Sequence, residues 1–366
     1  MTVEPPPRPV TAPPCSGLVV ALQANYCWVE LDQPGPGGQR RLLCTRRTRL
    51  AKSGQTICVG DRVQLAGLDW TAGRAVVDAL EPRHGLLARP AVANVSRVVV
   101  VVALAEPALD PLQLTRFLIT AEATGQPVEL VFSKADLLAP EAVEGWCRRV
   151  RAWGYDPLAV SSRGEQGLEP LRQRLRQPGI AVLCGPSGVG KSSLLNALQP
   201  QLELRVAAVS GRLQRGRHTT RHVELFSLGS GALVADTPGF NRPELPADPS
   251  LLPALFPEVR QRLAAGGCRF SDCRHLGEPG CGVGADWERH PWYAQCLETL
   301  RQEQERLERQ AGRGEGPGLR RRGHRLEPRL DPQLRQASRR LQRQQALREQ
   351  AGETGELSPP DPADSD

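Results

Sequence analysis

Between a short apolar run, Ile180-Ala181-Val182-Leu183-Cys184, and a stretch of good helix formers beginning at Lys191, the chain spells Gly185-Pro186-Ser187-Gly188-Val189-Gly190-Lys191-Ser192. This G-x-x-x-x-G-K-S octapeptide constrains the fold more than anything else in the chain. It works only as the turn between a buried strand and a helix whose N-terminus faces the turn, which demands an α/β sheet around it. Its glycines let successive backbone N–H groups point inward at phosphates, Lys191 reaches the β/γ-phosphates, and Ser192 offers a hydroxyl to Mg²⁺. The cradle runs through Ser193, where the helix dipole also favours an anion.

Charge usage points the same way. The chain holds 47 Lys plus Arg, yet the only lysines are Lys52, Lys134 and Lys191. Arginine has replaced lysine almost wherever a plain positive charge suffices. A compact ammonium set among phosphate oxygens cannot become a planar guanidinium without a change of geometry. Two of the three lysines fall in nucleotide motifs.

Downstream, Leu233-Val234-Ala235-Asp236-Thr237-Pro238-Gly239 is an apolar strand ending in D-T-P-G. There Asp236 is expected to orient Mg²⁺ and the Gly239 amide to meet the γ-phosphate. Between the two motifs, Gly216-Arg217-His218-Thr219-Thr220 offers a threonine hydroxyl for Mg²⁺, Thr220 with Thr219 as the alternative. Upstream, the strand-like run ending at Phe132 leads into Ser133-Lys134-Ala135-Asp136. This resembles the N-K-x-D element of GTPases with Ser133 in place of Asn, a shorter side chain that carries no amide. Asp136 is positioned to accept from guanine N1–H and the exocyclic amine, a pairing that adenine cannot make. Val160-Ser161-Ser162, followed by Gly167-Leu168, resembles the S-A loop, with the Ser162 N–H expected at guanine O6. An ordinary GTPase runs from the phosphate loop to these base-recognition elements. Here they come first, so the domain is expected to be circularly permuted, and the D-T-P-G segment leads straight into the region beyond residue 240.

That region holds Cys268-x4-Cys273-x-His275-x5-Cys281 among glycines and charged turns. Three thiolates and one imidazole make a closed, tetrahedral, structural zinc site. The other seven cysteines are scattered, several in apolar runs, as reduced buried thiols are. Little apolar material surrounds the four ligands, so the metal is expected to supply the order that a core does not.

At 366 residues the chain has room for two or three modules. Residues 1–15 are proline-rich with no apolar h-region and read as a disordered leader. Residues 16–82 carry five short alternating segments between Gly, Pro and Asp turns, which suggests a small OB-like barrel. Arg40, Arg41, Arg46, Arg47, Arg49 and Lys52 give that barrel a basic stretch suited to RNA phosphates; a charge-blunted strand edge is the competing reading. Residues 83–240 form the α/β P-loop domain, with a linker over 83–94, and residues 241–300 the zinc-binding helical and loop domain. The valine run near residue 100 is too short for a membrane span and reads as a buried parallel strand. Residues 301–366 are arginine-rich, then acidic, and are expected to stay disordered unless a polyanion binds.

Together the permuted motif order, G-P-S-G-V-G-K-S, G-R-H-T-T, D-T-P-G-F, the barrel and C-x4-C-x-H-x5-C resemble the RsgA (YjeQ) family of bacterial small-ribosomal-subunit biogenesis GTPases, over residues 16 to about 300. The resemblance implies a cytoplasmic, monomeric GTP hydrolase with one structural zinc, and magnesium bound with GTP. Its implied partners are the small ribosomal subunit, its rRNA, and GTP and GDP, with turnover stimulated by the subunit and followed by release. Phe240 stands where Ras-like enzymes place a water-orienting glutamine. His218 is therefore the candidate for positioning water, beside Lys191 and Thr220 as catalytic residues; a packing or RNA contact is its competing role. The alternative function is an RNA-binding assembly factor that uses GTP as a structural ligand.

Overall fold

The computed structural model describes residues 15–23, 25–47, 50, 55–164, 166–199, 223–236, 242–312, 319–322 and 325–328. The first five strands are β1 (Cys15–Gln23), β2 (Tyr26–Leu31), β3 (Arg41–Arg46), β4 (Arg62–Asp69) and β5 (Arg74–Leu80). β1 pairs with both β2 and β4, so the ring β1-β2-β3-β5-β4 closes on itself. Closure removes the exposed edges that a five-strand sheet would otherwise present. Alternate positions fill the lumen: Val19, Val29, Leu42, Cys44, Val63 and Val77 are fully buried. β4 starts three residues later than the apolar pattern at Val59 suggests, because Gly60 adopts φ +88° and the Asp61 carboxylate caps the Cys58 N–H at 2.7 Å.

The stretch expected to be a plain linker carries a hairpin, β6 (Leu86–Ala88) and β7 (Ala91–Ala93). It is tied to the barrel at both ends. Arg83 donates to the buried Asp61 at 2.6 Å, and the Asn94 amide donates to the Gly60 carbonyl at 2.9 Å.

The second sheet is built from β8 (Val95–Ala103), β9 (Val128–Ser133), β10 (Leu158–Ala159), β11 (Gly179–Cys184), β12 (Glu224–Gly229) and β13 (Ala232–Asp236). Their order is β10-β9-β8-β11-β13-β12, parallel except for the antiparallel β12. Ala21 of β1 pairs with Glu224 of β12, which makes the barrel continuous with this sheet. The valine run in β8 has a simple cause. Val98, Val100 and Val102 face one core with Phe117 and Trp153, while Val99 and Val101 face another with Leu171 and Leu195, so both sides of the strand are apolar. The flanking helices are α1 (Pro111–Glu122), α2 (Pro140–Ala152), α3 (Leu168–Leu175) and α4 (Lys191–Leu198). Asp110 caps α1 by accepting from the Leu112 N–H at 2.9 Å, with Pro111 at the first helical position.

Beyond the sheets come a 3₁₀ segment (Pro249–Leu255), α5 (Pro257–Ala265) and α6 (His290–Gly312). Here the expectation of little core is corrected. Leu252, Phe256, Val259, Val283, Trp287, Tyr293, Cys296 and Leu297 form a buried cluster that also takes in Ile119 of α1, and Cys268 and Cys281 pack against it. The apolar residues come from both sides of the ligand loops, so the loops alone give no sign of them. Within the same cluster Arg289 is fully buried and donates through Nε to Glu258 at 2.7 Å. Its guanidinium lies 4.7 Å from the Phe256 ring, 5.0 Å from Trp153 and 5.5 Å from Tyr155.

Contacts divide the chain into two compact units, Met1–Leu300 and Arg301–Asp366. The second carries the last turns of α6 and a hairpin, β14 (Leu319–Arg322) with β15 (Arg325–Pro328). Among the described residues, no helix is long and apolar enough to cross a membrane.

Candidate nucleotide site and metal centre

Three neighbouring strands deliver the nucleotide motifs to one edge of the sheet. β11 ends at Cys184 and runs into the phosphate loop, β9 ends at Ser133, and β8 lies hydrogen-bonded between them. Gly185 is the tightest point: its φ is +143°, and a Cβ there would fall 1.9 Å from the Val101 carbonyl oxygen. Only glycine brings the loop that close to β8. Gly190, at φ +90°, starts α4 with no side-chain cap, and the N-terminus of the helix faces the loop as an anion would require. Lys191 bends over the loop and donates to the Gly185 and Pro186 carbonyls, each at 2.8 Å. Beneath it, full burial pushes the Cys184 thiol up to about 12, with Lys191 offsetting part of the effect. The thiol is therefore neutral. All ten cysteines are free of disulfides, as the scatter of the isolated ones suggests.

Ser133, Lys134, Asp136, Val160, Ser162, Val189 and Ser193 line one open cavity of about 120 Å³ beside the loop. Lys134 takes a left-handed conformation at φ +55°, and its ammonium donates to the Glu106 carbonyl. The turn leaves Asp136 exposed at the cavity, while Ala135 is buried and donates its N–H to the Val160 carbonyl at 3.1 Å. That bond joins the S-K-A-D segment to the serine loop. Ser161 is fully buried, and its hydroxyl accepts from the Arg163 and Gly164 N–H groups at 3.2 Å, which folds the loop so that Ser162 faces the cavity.

The structure thus brings together the elements read at Ser133–Asp136, Ser161–Ser162 and Gly185–Ser193 from separate parts of the sequence. Asp236 ends β13, the parallel neighbour of β11, which places its backbone at the same sheet edge. Its side chain, and His218, Thr219, Thr220, Gly239 and Phe240, lie outside the described residues. On the barrel, Arg40, Arg41, Arg46 and Arg47 are exposed, with Arg47 paired to Asp78; Arg49 and Lys52 lie outside the described residues.

Cys268, Cys273, His275 and Cys281 place four donor atoms within 4.8 Å of one another, so they can hold a metal ion. Cys268 Sγ is 3.4 Å and Cys281 Sγ 3.7 Å from His275 Nδ1. A tetrahedral ion with metal–sulfur and metal–nitrogen bonds of about 2.3 and 2.0 Å requires donor separations of roughly 3.6 Å. The fit is close. The Gly282 and Gly284 N–H groups point at Cys268 and Cys281 sulfurs, at 3.3 and 3.4 Å, as amides around a metal thiolate do. Glu278 accepts from the Leu276 and Arg274 amides, at 2.8 and 3.1 Å, and holds the loop that carries His275.

Residues 80–246 match the family model described as RsgA GTPase. A small ribosomal subunit biogenesis GTPase RsgA from Synechococcus sp. (strain CC9605) is 61% identical over 282 residues, 77% of this chain and 93% of that protein. One of the same name from Trichormus variabilis is 45% identical over 349 residues, 89% of this chain and 94% of that protein. Among solved structures, YjeQ from Thermotoga maritima aligns with a TM-score of 0.65 at 30% identity, covering 78% of this chain and 98% of its own. YloQ, described as a circularly permuted GTPase, aligns with a TM-score of 0.64 at 26% identity, covering 81% and 99%.

Proposed function

The chain belongs to the RsgA family of GTPases, and on that premise we propose that it binds the small ribosomal subunit during maturation in the cytoplasm, hydrolyses GTP when the subunit stimulates it, and is then released. The observation that carries this reading is the convergence of the phosphate loop and the S-K-A-D and serine loops on one cavity, in a chain whose barrel exposes Arg40, Arg41, Arg46 and Arg47. In this assignment Asp136 accepts from the guanine edge, the Ser162 amide meets guanine O6, and Gly185–Ser193 cradle the phosphates with Lys191 on the β/γ-oxygens. The Ser192 hydroxyl, Thr220 hydroxyl and Asp236 carboxylate are a hard oxygen set that suits Mg²⁺, which supplies charge neutralisation at the phosphates when bound. Gly239 offers its amide to the γ-phosphate, and His218 orients the attacking water. The three thiolates and His275 hold zinc as a structural ion, and the protein acts as a monomer on rRNA.

Asp136→Asn tests the function and the base assignment together. The amide reverses one hydrogen bond at the guanine edge, so subunit-stimulated turnover should pass from GTP to xanthosine triphosphate, with a change in preference on the order of 10² or more. Unaltered GTP preference in this variant removes Asp136 from the base site.

A further inference from the structure

Beyond Leu300 the chain carries charge that neither the nucleotide site nor the metal centre uses. Residues 301–348 hold 14 Arg against 6 Asp plus Glu, and no Lys. Arginine is the cation that presents a planar fork to phosphate oxygens. Within this stretch β14 pairs antiparallel with β15, and Gly323-His324 lies between them. The register sets Leu319 opposite Pro328, Arg320 opposite Glu327, Arg321 opposite Leu326 and Arg322 opposite Arg325. Alternation along each strand places Arg320, Arg322, Arg325 and Glu327 on one face of the ribbon, and Arg321 on the other with Leu319, Leu326 and Pro328. Like charges directly opposite one another destabilise a strand pair, and a two-stranded hairpin is marginal in water on its own. The Arg322–Arg325 pair therefore works against the ribbon until an anion lies between the two arginines.

We propose that the β14–β15 ribbon is an RNA-binding element additional to the barrel, its Arg320–Arg322–Arg325 face gripping the phosphate backbone of structured RNA. The charge calls for a polyanion; that the polyanion is RNA rests on the small-subunit reading. Arginine-rich segments gain order on RNA in this way. Phosphate contacts fix position without reading sequence, so the ribbon adds hold and placement rather than base choice.

The test measures dissociation constants of the full-length protein for an RNA hairpin of about 20 base pairs, and for its DNA counterpart, between about 50 and 200 mM salt. Combining Arg320→Ala, Arg322→Ala and Arg325→Ala should weaken RNA binding by at least about tenfold at the lower salt. The slope of log K against log salt should flatten by roughly 2 to 3, the share of three phosphates. Arg322→Ala alone should cost severalfold. Arg321→Ala removes the same charge from the opposite face and should cost less than about twofold. Amide exchange at 319–322 and 325–328 should slow when the RNA is added. Equal losses from Arg321→Ala and Arg322→Ala would mean that net charge acts without a ribbon, and overturn the proposal; an unchanged salt slope in the triple variant does the same. DNA bound as tightly as RNA, with the same dependence on the arginine face, overturns the choice of RNA. The competing occupant is the chain's own acidic end, which has six Asp plus Glu and no Lys or Arg after Arg348. Amide protection of the ribbon that is full without RNA and disappears when 349–366 are removed would give the face to that end, and overturns the proposal. Purified small subunits test the reading beneath it: RNA held through this face by a protein that does not bind the subunits would overturn the small-subunit reading and leave the ribbon's assignment standing.

Discussion

Stripping the metal from the Cys268–Cys281 cluster with a strong chelator should unfold the loops from 265 to 285 and loosen the helices packed on them. Four donors within 4.8 Å of one another, three of them thiols, repel once deprotonated and gain nothing from proximity without an ion. Structural zinc supplies on the order of 10–16 kcal/mol of apparent binding energy in small modules. The loops have few alternatives, because Cys268 and Cys281 lean on a cluster whose largest members, Phe256, Trp287 and Tyr293, pack edge to face or tilted at 5.3–5.6 Å. Amide hydrogen exchange should show protection lost across 268–284 and reduced through α5 and the start of α6, while β11 and α4 keep theirs. Cys273→Ser should act in the same direction. A metal-free protein with full protection at 268–284 would show that the core suffices without the ion.

Arg289→Ala should be the most damaging single substitution away from the metal. It removes a fully buried guanidinium and leaves Glu258, itself nearly buried, without its partner. Breaking such a pair from one side costs about 3–5 kcal/mol. At about 2–4 °C per kcal/mol, the melting temperature should fall by roughly 6–20 °C. The location adds to the effect, since the same guanidinium faces Trp153 and Tyr155 of the nucleotide-binding region and Phe256 of the metal-binding region. Replacing both partners, Arg289→Met with Glu258→Leu, should recover much of the loss, because no charge is then left buried. Differential scanning calorimetry measures both variants. A loss below about 1 kcal/mol for Arg289→Ala would mean that Glu258 finds water or another donor.

Local geometry explains what the sequence disclosed. The phosphate loop and the metal ligands are legible because their spacing is their mechanism: Gly185 must approach Val101, and His275 must reach two sulfurs within a short loop. The barrel strands are legible by alternation, yet closure through the double pairing of β1 depends on long-range register that no local pattern contains. The hairpin at 86–93 is not legible, because three-residue strands carry almost no periodicity. Arg289 and Glu258 read as surface charges until packing puts them together. Ser133 donates to the Val189 carbonyl, 56 residues away, and only the parallel arrangement of β9, β8 and β11 brings the two within reach.

GTP turnover measured with and without purified small subunits decides whether the small ribosomal subunit switches this permuted GTPase. Phe240 occupies the place of the water-orienting glutamine, so the protein alone should turn over at roughly 10⁻⁴ to 10⁻² s⁻¹. Added subunits should raise the rate by at least about tenfold, well within the roughly 10⁵-fold that an activating partner gives Ras. The same rate in both conditions would rule out switching by the subunit and favour an RNA-binding factor for which GTP is a structural ligand.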